Sequence, residues 1–418
     1  MSRIVFIMDI EEGHLLPSFG LADAFRKEGH HVLYLSVEDN REMVRQQGFD
    51  FQPVFIQTYP PGFREKYKRR EYPDMPEWDH LEELTAAPFE TLIQSLQADL
   101  FVISSFLKFD MLLMYYRFNI RPAIFTPFLR GPGHRLSDDC MADLMRMPVE
   151  VSGLLIDYLV RHKVKVSTMK QLVAPINEWK ELVACPEALE FPFTEKYPNV
   201  FYLGTSLRRK DLDEQQDPVL SDILQKKGNR PLIFASLGSQ IVSYGPAYQR
   251  FFSKIITVMQ DPALADTFLV LCIGPDLQVS DMDTPGENVM IVNWISQIGL
   301  LQHAALVLTH GGIGTLKECM YYGVPVIVFP IARDQPDNAR RMVHHGLGET
   351  ADILDVPVAA LKKMIPDILA NESIRTNVNA MKALLRKQEE ENIARRVIQA
   401  LLPTDMMISN IDRTIIQL

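Results

Sequence analysis

Short apolar runs alternate with helical patterns along this chain, and they do so twice. Residues 4–8, Ile-Val-Phe-Ile-Met, form a continuous apolar run of the kind a strand buried on both faces needs. A polar turn spans residues 9–13, and residues 14–27 then carry Leu15, Leu16, Phe19, Leu21, Ala22 and Phe25 at helical spacing. Gly29 closes that helix, and residues 31–36 read as a second strand. Residues 98–106, 182–185 and 200–203 supply further strands of this half. Residues 206–216 are charged and unpatterned, which predicts a linker. The alternation restarts with the run Leu232-Ile233-Phe234-Ala235 and continues through predicted strands at 268–273, 289–292, 306–309 and 324–329. Two Rossmann-like α/β domains follow from this pattern, at 1–210 and 211–385. Residues 371–402 are amphipathic and helical. Residues 386–418 are expected to form a C-terminal helix and tail packing back towards the first domain.

A length of 418 residues leaves room for two or three domains with cores of their own. The net charge of −10 argues against a general nucleic-acid binder, which needs a broadly basic balance. A short cationic cluster, Lys66, Lys68, Arg69 and Arg70, reads as a solvated face. Four cysteines stand far apart without metal-ligand spacing, so free thiols in a reducing cytoplasm are expected, and no bound metal. The first apolar run is too short for a signal peptide, and no stretch approaches the roughly 20 apolar residues of a membrane span.

The chemistry concentrates at Thr309-His310-Gly311-Gly312-Ile313-Gly314-Thr315-Leu316-Lys317-Glu318, which follows the apolar run at 305–308. A strand, a glycine-rich turn and a helix start form a natural cradle for an anion. Glycine lets backbone approach a ligand, and the first helical N–H groups lack internal partners. Upstream lies Asn293-Trp294-Ile295-Ser296-Gln297, and downstream Arg333-Asp334-Gln335-Pro336-Asp337-Asn338-Ala339.

This combination resembles the donor signature of the UDP-glycosyltransferase superfamily, of the plant secondary-metabolite and bacterial macrolide type. The resemblance implies a GT-B architecture, in which two Rossmann-like domains face each other across a cleft. It further implies that Trp294 stacks on the nucleotide base, with Gln297 close by, and that Glu318 accepts from the ribose hydroxyls. His310, Gly312, Gly314 and Thr315 would hold the diphosphate, helped by Ser239 in a Gly-Ser loop. Asp334 and Gln335 would bind hydroxyls of the sugar.

In the first half, Gly13-His14-Leu15-Leu16-Pro17 resembles the family's Gly-His-x-x-Pro element, whose histidine is the general base. The aspartate that orients it in relatives is replaced here by Ser104. Asp110 is taken as the substitute, with Asp9, Glu11 and Glu12 as alternatives. Residues 57–90 are irregular and rich in Pro and aromatic side chains, so they are expected to cover an acceptor pocket to which Phe63, Trp78 and Phe106 contribute. The expected reaction is inverting transfer of a hexose, glucose in the first instance, from a nucleoside diphosphate (UDP) to a small lipophilic acceptor such as a polyketide or phenol. No cofactor or metal is expected beyond the nucleotide sugar, and the chain is expected to be a monomer or homodimer. A nucleotide-sugar epimerase of the same fold, or a non-catalytic nucleotide-sugar-binding protein, is the alternative.

Overall fold

The computed structural model describes residues 1–69, 71–72, 78–206, 218–238, 247–274, 277–283, 285–390 and 393–402. The first sheet contains β1 (Arg3–Ile7), β2 (His31–Ser36), β3 (Asp50–Pro53), β4 (Leu100–Ser104), β5 (Ala123–Thr126), β6 (Glu181–Val183) and β7 (Val200–Tyr202). Its order is β3-β2-β1-β4-β5-β6-β7. The second contains β8 (Leu232–Ser236), β9 (Phe268–Cys272), β10 (Val289–Val292), β11 (Ala304–Thr309), β12 (Val326–Val328) and β13 (Gly348–Thr350), in the order β10-β9-β8-β11-β12-β13. Every pairing between them is parallel. Parallel sheets must be covered on both faces, which is why their strands read as unbroken apolar runs.

The strand order reverses between β1 and β4 in one sheet and between β8 and β11 in the other. In open α/β sheets the crevice beyond the strand ends at such a reversal is where ligands bind. The residues that follow these four strands are therefore the ones to examine.

The elements used below are α1 (Glu12–Leu15), α2 (Ser18–Lys27), α3 (Phe63–Lys68), α4 (His80–Leu84), α5 (Lys108–Phe118), α6 (Gln297–Leu301), α7 (Ile313–Tyr322), α8 (Gln335–His344), α9 (Glu372–Glu390) and α10 (Ile393–Leu401). The pattern at 14–27, read as one helix, is two: α1 stops before Pro17, whose missing N–H cannot join an unbroken helical ladder. Three strands escape the apolar-run criterion. β3 is an edge strand with Asp50, Gln52 and Pro53, β5 has only four residues, and β13 is an edge strand of three.

The terminal helical stretch also divides. α9 packs against α7 in the second domain, whereas α10 belongs to the first. Val397, Ile398 and Leu401 are buried among Phe6, Leu21, Phe25 and other core residues of the β1–β2 region. Lys180 Nζ also donates to the carbonyl of Ala400 near the end of α10. Truncating a buried isoleucine removes apolar contact and leaves a void. Ile398→Ala should therefore lower the stability of the first domain by about 2–4 kcal/mol, read as a shifted urea midpoint. An unchanged midpoint would mean that α10 is not anchored there.

Candidate active site

The end of β1 leads into Asp9, and its carboxylate is the hub of the first half-site. Asp9 Oδ1 meets His14 Nδ1 at 2.8 Å and accepts the Glu11 amide at 2.9 Å. Asp9 Oδ2 accepts the Ser104 hydroxyl at 2.5 Å. Burial alone would raise the Asp9 carboxyl, but the His14 charge and hydrogen bond, the Ser104 hydroxyl and the Glu11 amide outweigh it and hold it below the usual carboxylate range. An ionised carboxylate only accepts, so Nδ1 of His14 donates to Asp9, and the neutral form of the ring then carries its lone pair on Nε2. The imidazole also stacks on Phe106, with centroids 3.7 Å apart and planes 5° from parallel. Phe106 is 44% exposed and leans on Phe128 on its other side.

Asp110 is not the partner of His14. It sits in the first turn of α5, buried, with Oδ2 at 3.0 Å from His80 Nε2 on α4. Its side chain faces the interior between those helices and not the β1 turn. Phe63 also turns inward: it is 2% exposed and packs against Tyr59, Tyr67 and Tyr72, so it builds the insertion rather than facing a cleft. Trp78 is half-buried against Phe109. Of the three expected acceptor contacts, only Phe106 lies beside His14.

The second half-site forms around β11 and α7. Residues Ser236 and Thr309 are paired at the ends of β8 and β11, which brings Gly238 up to His310. A Cβ on Gly238 would lie 2.5 Å from His310 Cε1, and one on Gly312 would lie 2.8 Å from His310 Nε2. Only glycine fits on either flank of that ring. Burial pushes the His310 imidazole down to about 4, so at neutral pH it is an uncharged ring. α7 starts at Gly312 without a side-chain cap, leaving its first amides for a ligand, and Gly314 is exposed there. The positive end of the site is therefore the helix start, set beside an imidazole that burial keeps neutral.

Gln297, Thr315 and Glu318 converge beside that helix start. Gln297 Nε2 lies 3.3 Å from Thr315 Oγ1 and donates a short hydrogen bond to Glu318 Oε2. Trp294, between β10 and α6, is 66% exposed, with its indole open to stacking. Lys317, on the same helix, points the other way. It is 3% exposed, and its ammonium donates to the Ala184 carbonyl of the first domain at 2.5 Å. Ser239 lies outside the described residues.

Asp334 stands at the N-terminal boundary of α8 without a side-chain cap, and burial raises its carboxyl above the usual range despite the hydrogen bond from Asn338. Gln335 is buried, and its Oε1 accepts the amides of Ile331 and Ala332 at 2.8 and 3.0 Å, shaping the loop from within. Asn338 was not singled out from sequence. Its Nδ2 donates to Gly311 O at 3.0 Å and Asp334 Oδ2 at 2.8 Å, tying the sugar-side loop to the glycine turn. The signal was its position, four residues after Asp334 and so one helical turn away. A further cavity of about 620 Å³, lined by Arg130, Glu181, Glu190, Tyr197 and others beside β6 and β7, shares only Phe128 with the residues of the two half-sites.

Two parallel Rossmann-like sheets, with a histidine–carboxylate pair at the reversal of one and a glycine-flanked helix start at the reversal of the other, define a GT-B glycosyltransferase. The family model for UDP-glucoronosyl and UDP-glucosyl transferase matches residues 170–398, more than half of the chain, and the protein belongs to that family. It is 23% identical over 374 residues to the NDP-glycosyltransferase YjiC of Bacillus subtilis (strain 168), covering 88% of this chain and 89% of that one. The solved structure of CalG4, the calicheamicin glycosyltransferase, matches with a TM-score of 0.71 at 19% identity, over 96% of this chain and 98% of that one. VinC, solved in complex with DTDP, matches with a TM-score of 0.66 at 18% identity, over 94% and 100%. The epimerase and non-catalytic readings are set aside by that membership. Among the described residues no helix is long and apolar enough to cross a membrane.

The His80–Asp110 pair makes a separable prediction. Burial alone would lower the His80 imidazole, but Asp110's charge and hydrogen bond, backed by Glu83 and Asp79, hold it above its ordinary value. A raised folded value means that the pair's stabilisation is complete below the unfolded value of about 6.5 and is lost as pH rises through the folded value. Asp110→Asn should cost about 3 kcal/mol near pH 6, since it strands a buried charge, and progressively less above pH 7. Urea midpoints of both proteins against pH test this; a cost that grows with pH would contradict it.

Proposed function

We propose that this enzyme transfers a hexose, glucose in the first instance, from UDP to a hydroxyl of a small lipophilic acceptor, with inversion at the anomeric carbon. The observation that carries the reading is the pairing of two half-sites. His14 presents Nε2 beside an exposed aromatic face, and an uncapped helix start lies beside Trp294, Gln297 and Glu318. His14 Nε2 takes the acceptor proton as the acceptor oxygen attacks the anomeric carbon from the face opposite the diphosphate. Asp9 stabilises the imidazolium that forms, the part played in relatives by the aspartate that Ser104 replaces. Charge on the departing diphosphate is met by the α7 amides and by an N–H from His310. General-base catalysis supplies about 10²–10⁴-fold, and oriented donors at the leaving group supply as much or more.

Trp294 stacks on the base and Glu318 accepts from the ribose, with Gln297 steadying its carboxylate. Asp334 accepts from sugar hydroxyls. UDP is preferred over dTDP in this reading because the matched family is named for UDP-sugars; VinC, a structural relative, was solved with DTDP. A lipophilic natural product suits the apolar platform of Phe106 and Phe128, and calicheamicin glycosyltransferase is a structural neighbour. Four free cysteines agree with a cytoplasmic setting.

His14→Ala should abolish transfer from UDP-glucose to a panel of phenols, macrolides and lipids while leaving UDP affinity by calorimetry nearly intact. Transfer undiminished in that variant removes His14 from the mechanism. Glu318→Ala should weaken UDP by about 1–3 kcal/mol, the usual cost of stranding polar partners. The same titration with dTDP should give weaker binding in the wild type, and equal affinities would mean that the base is not discriminated.

A further inference from the structure

We propose that Arg64, on the aromatic insertion, is a positioning residue for the His14–Asp9 pair: its guanidinium clamps the insertion onto the β1–α1 turn and so fixes where the Asp9 carboxylate stands. The inference rests on the reading of His14 as the base, and adds the device that sets its orientation.

α3 follows Gly62, and its first turn is tied down by the carboxylate of Asp39, which lies beyond β2. Asp39 Oδ1 accepts the Gly62 amide at 2.6 Å and Oδ2 accepts the Arg64 amide at 2.7 Å. With its backbone so fixed, the Arg64 side chain reaches inward and is only 15% exposed. Nη2 donates to the Ile10 carbonyl at 2.6 Å and, in a short hydrogen bond, to Asn40 Oδ1. Nη1 lies 3.1 Å from Glu12 Oε1. One planar fork thus bridges three segments: the insertion, the turn after β2 and the turn after β1.

Those contacts converge on Asp9 from the backbone side. Asn40, held through its Oδ1 by Arg64, donates from Nδ2 to the Asp9 carbonyl at 2.9 Å and to Ser36 Oγ at 2.8 Å. Ser36 Oγ in turn donates to the Met8 carbonyl at 2.7 Å. Ile10 and Glu12 flank Glu11, whose amide donates to Asp9 Oδ1 and whose carbonyl accepts the amides of His14 and Leu15. Arg64 therefore grips the residues on both sides of the one that orients the carboxylate and starts the helix of His14. An ordinary surface arginine makes one loose ion pair; this one spends its donors mainly on neutral oxygens of a turn. Lysine cannot reproduce this, because its single nitrogen does not offer the two separated donor positions of a planar fork.

The test reads the imidazole directly. In protein carrying 15N-labelled histidine, two-bond couplings report which ring nitrogen of His14 is protonated, with His14→Gln assigning the signals. The wild type should show the Nδ1–H form at pH 8. Arg64→Ala should move His14 several-fold towards the Nε2–H form, and Asp9→Ala should show the same signature. Arg64→Lys, which keeps charge and stem, should fail to restore the wild-type pattern, and it carries the test should the alanine variant not fold. Turnover should fall by about 10²-fold, the cost of a slightly misplaced group, with UDP affinity unchanged. A wild-type His14 pattern in folded Arg64→Ala, or full recovery with lysine, would overturn the proposal. Because the tautomer is read without any acceptor, a failure of the sugar-transfer reading leaves this result legible on its own.

Discussion

The first half-site depends on a buried carboxylate that is ionised. Asp9 sits at the end of a strand enclosed by apolar neighbours, where desolvation works against its charge. Three donors overcome that penalty: the His14 ring, the Ser104 hydroxyl and the Glu11 amide. They come from two pieces of chain, so the charge ties the β1 turn and the start of α1 to the β4 exit. Ser104 is one of those donors. It has become a donor to a carboxylate on the neighbouring strand, in place of a carboxylate itself.

The second half-site is organised differently. Its chief polar element is backbone, the uncapped start of α7, set against an imidazole that burial keeps neutral. A neutral ring gripped between two residues without side chains has little freedom to rearrange. Preorganised dipoles of this kind act without reorganisation as charge develops, which is where such groups contribute most to catalysis.

Much of this was legible in the residues. Apolar runs without alternation marked the buried parallel strands, and the donor signature marked the positions that the fold gathers around α7. The edge strands β3 and β13 were not legible, being short, polar and half-exposed; nor was the break at Pro17 within an otherwise helical pattern. The choice among Asp9, Asp110, Glu11 and Glu12 could not be made from spacing. Asp110 follows Ser104 closely, but it opens a helix whose first turn faces α4, whereas Asp9 lies across the sheet in the adjacent strand register. Phe63 misled because an aromatic side chain in an irregular segment looks the same whether it lines a pocket or fills a core.

α7 has one further consequence. Thr315 and Glu318 lie on one side of it, and on the other Lys317 lodges its ammonium against the Ala184 carbonyl of the opposite domain. Parting the two domains would take that buried ammonium away from its acceptor. The helix that carries Thr315 and Glu318 also fastens the second domain to the first.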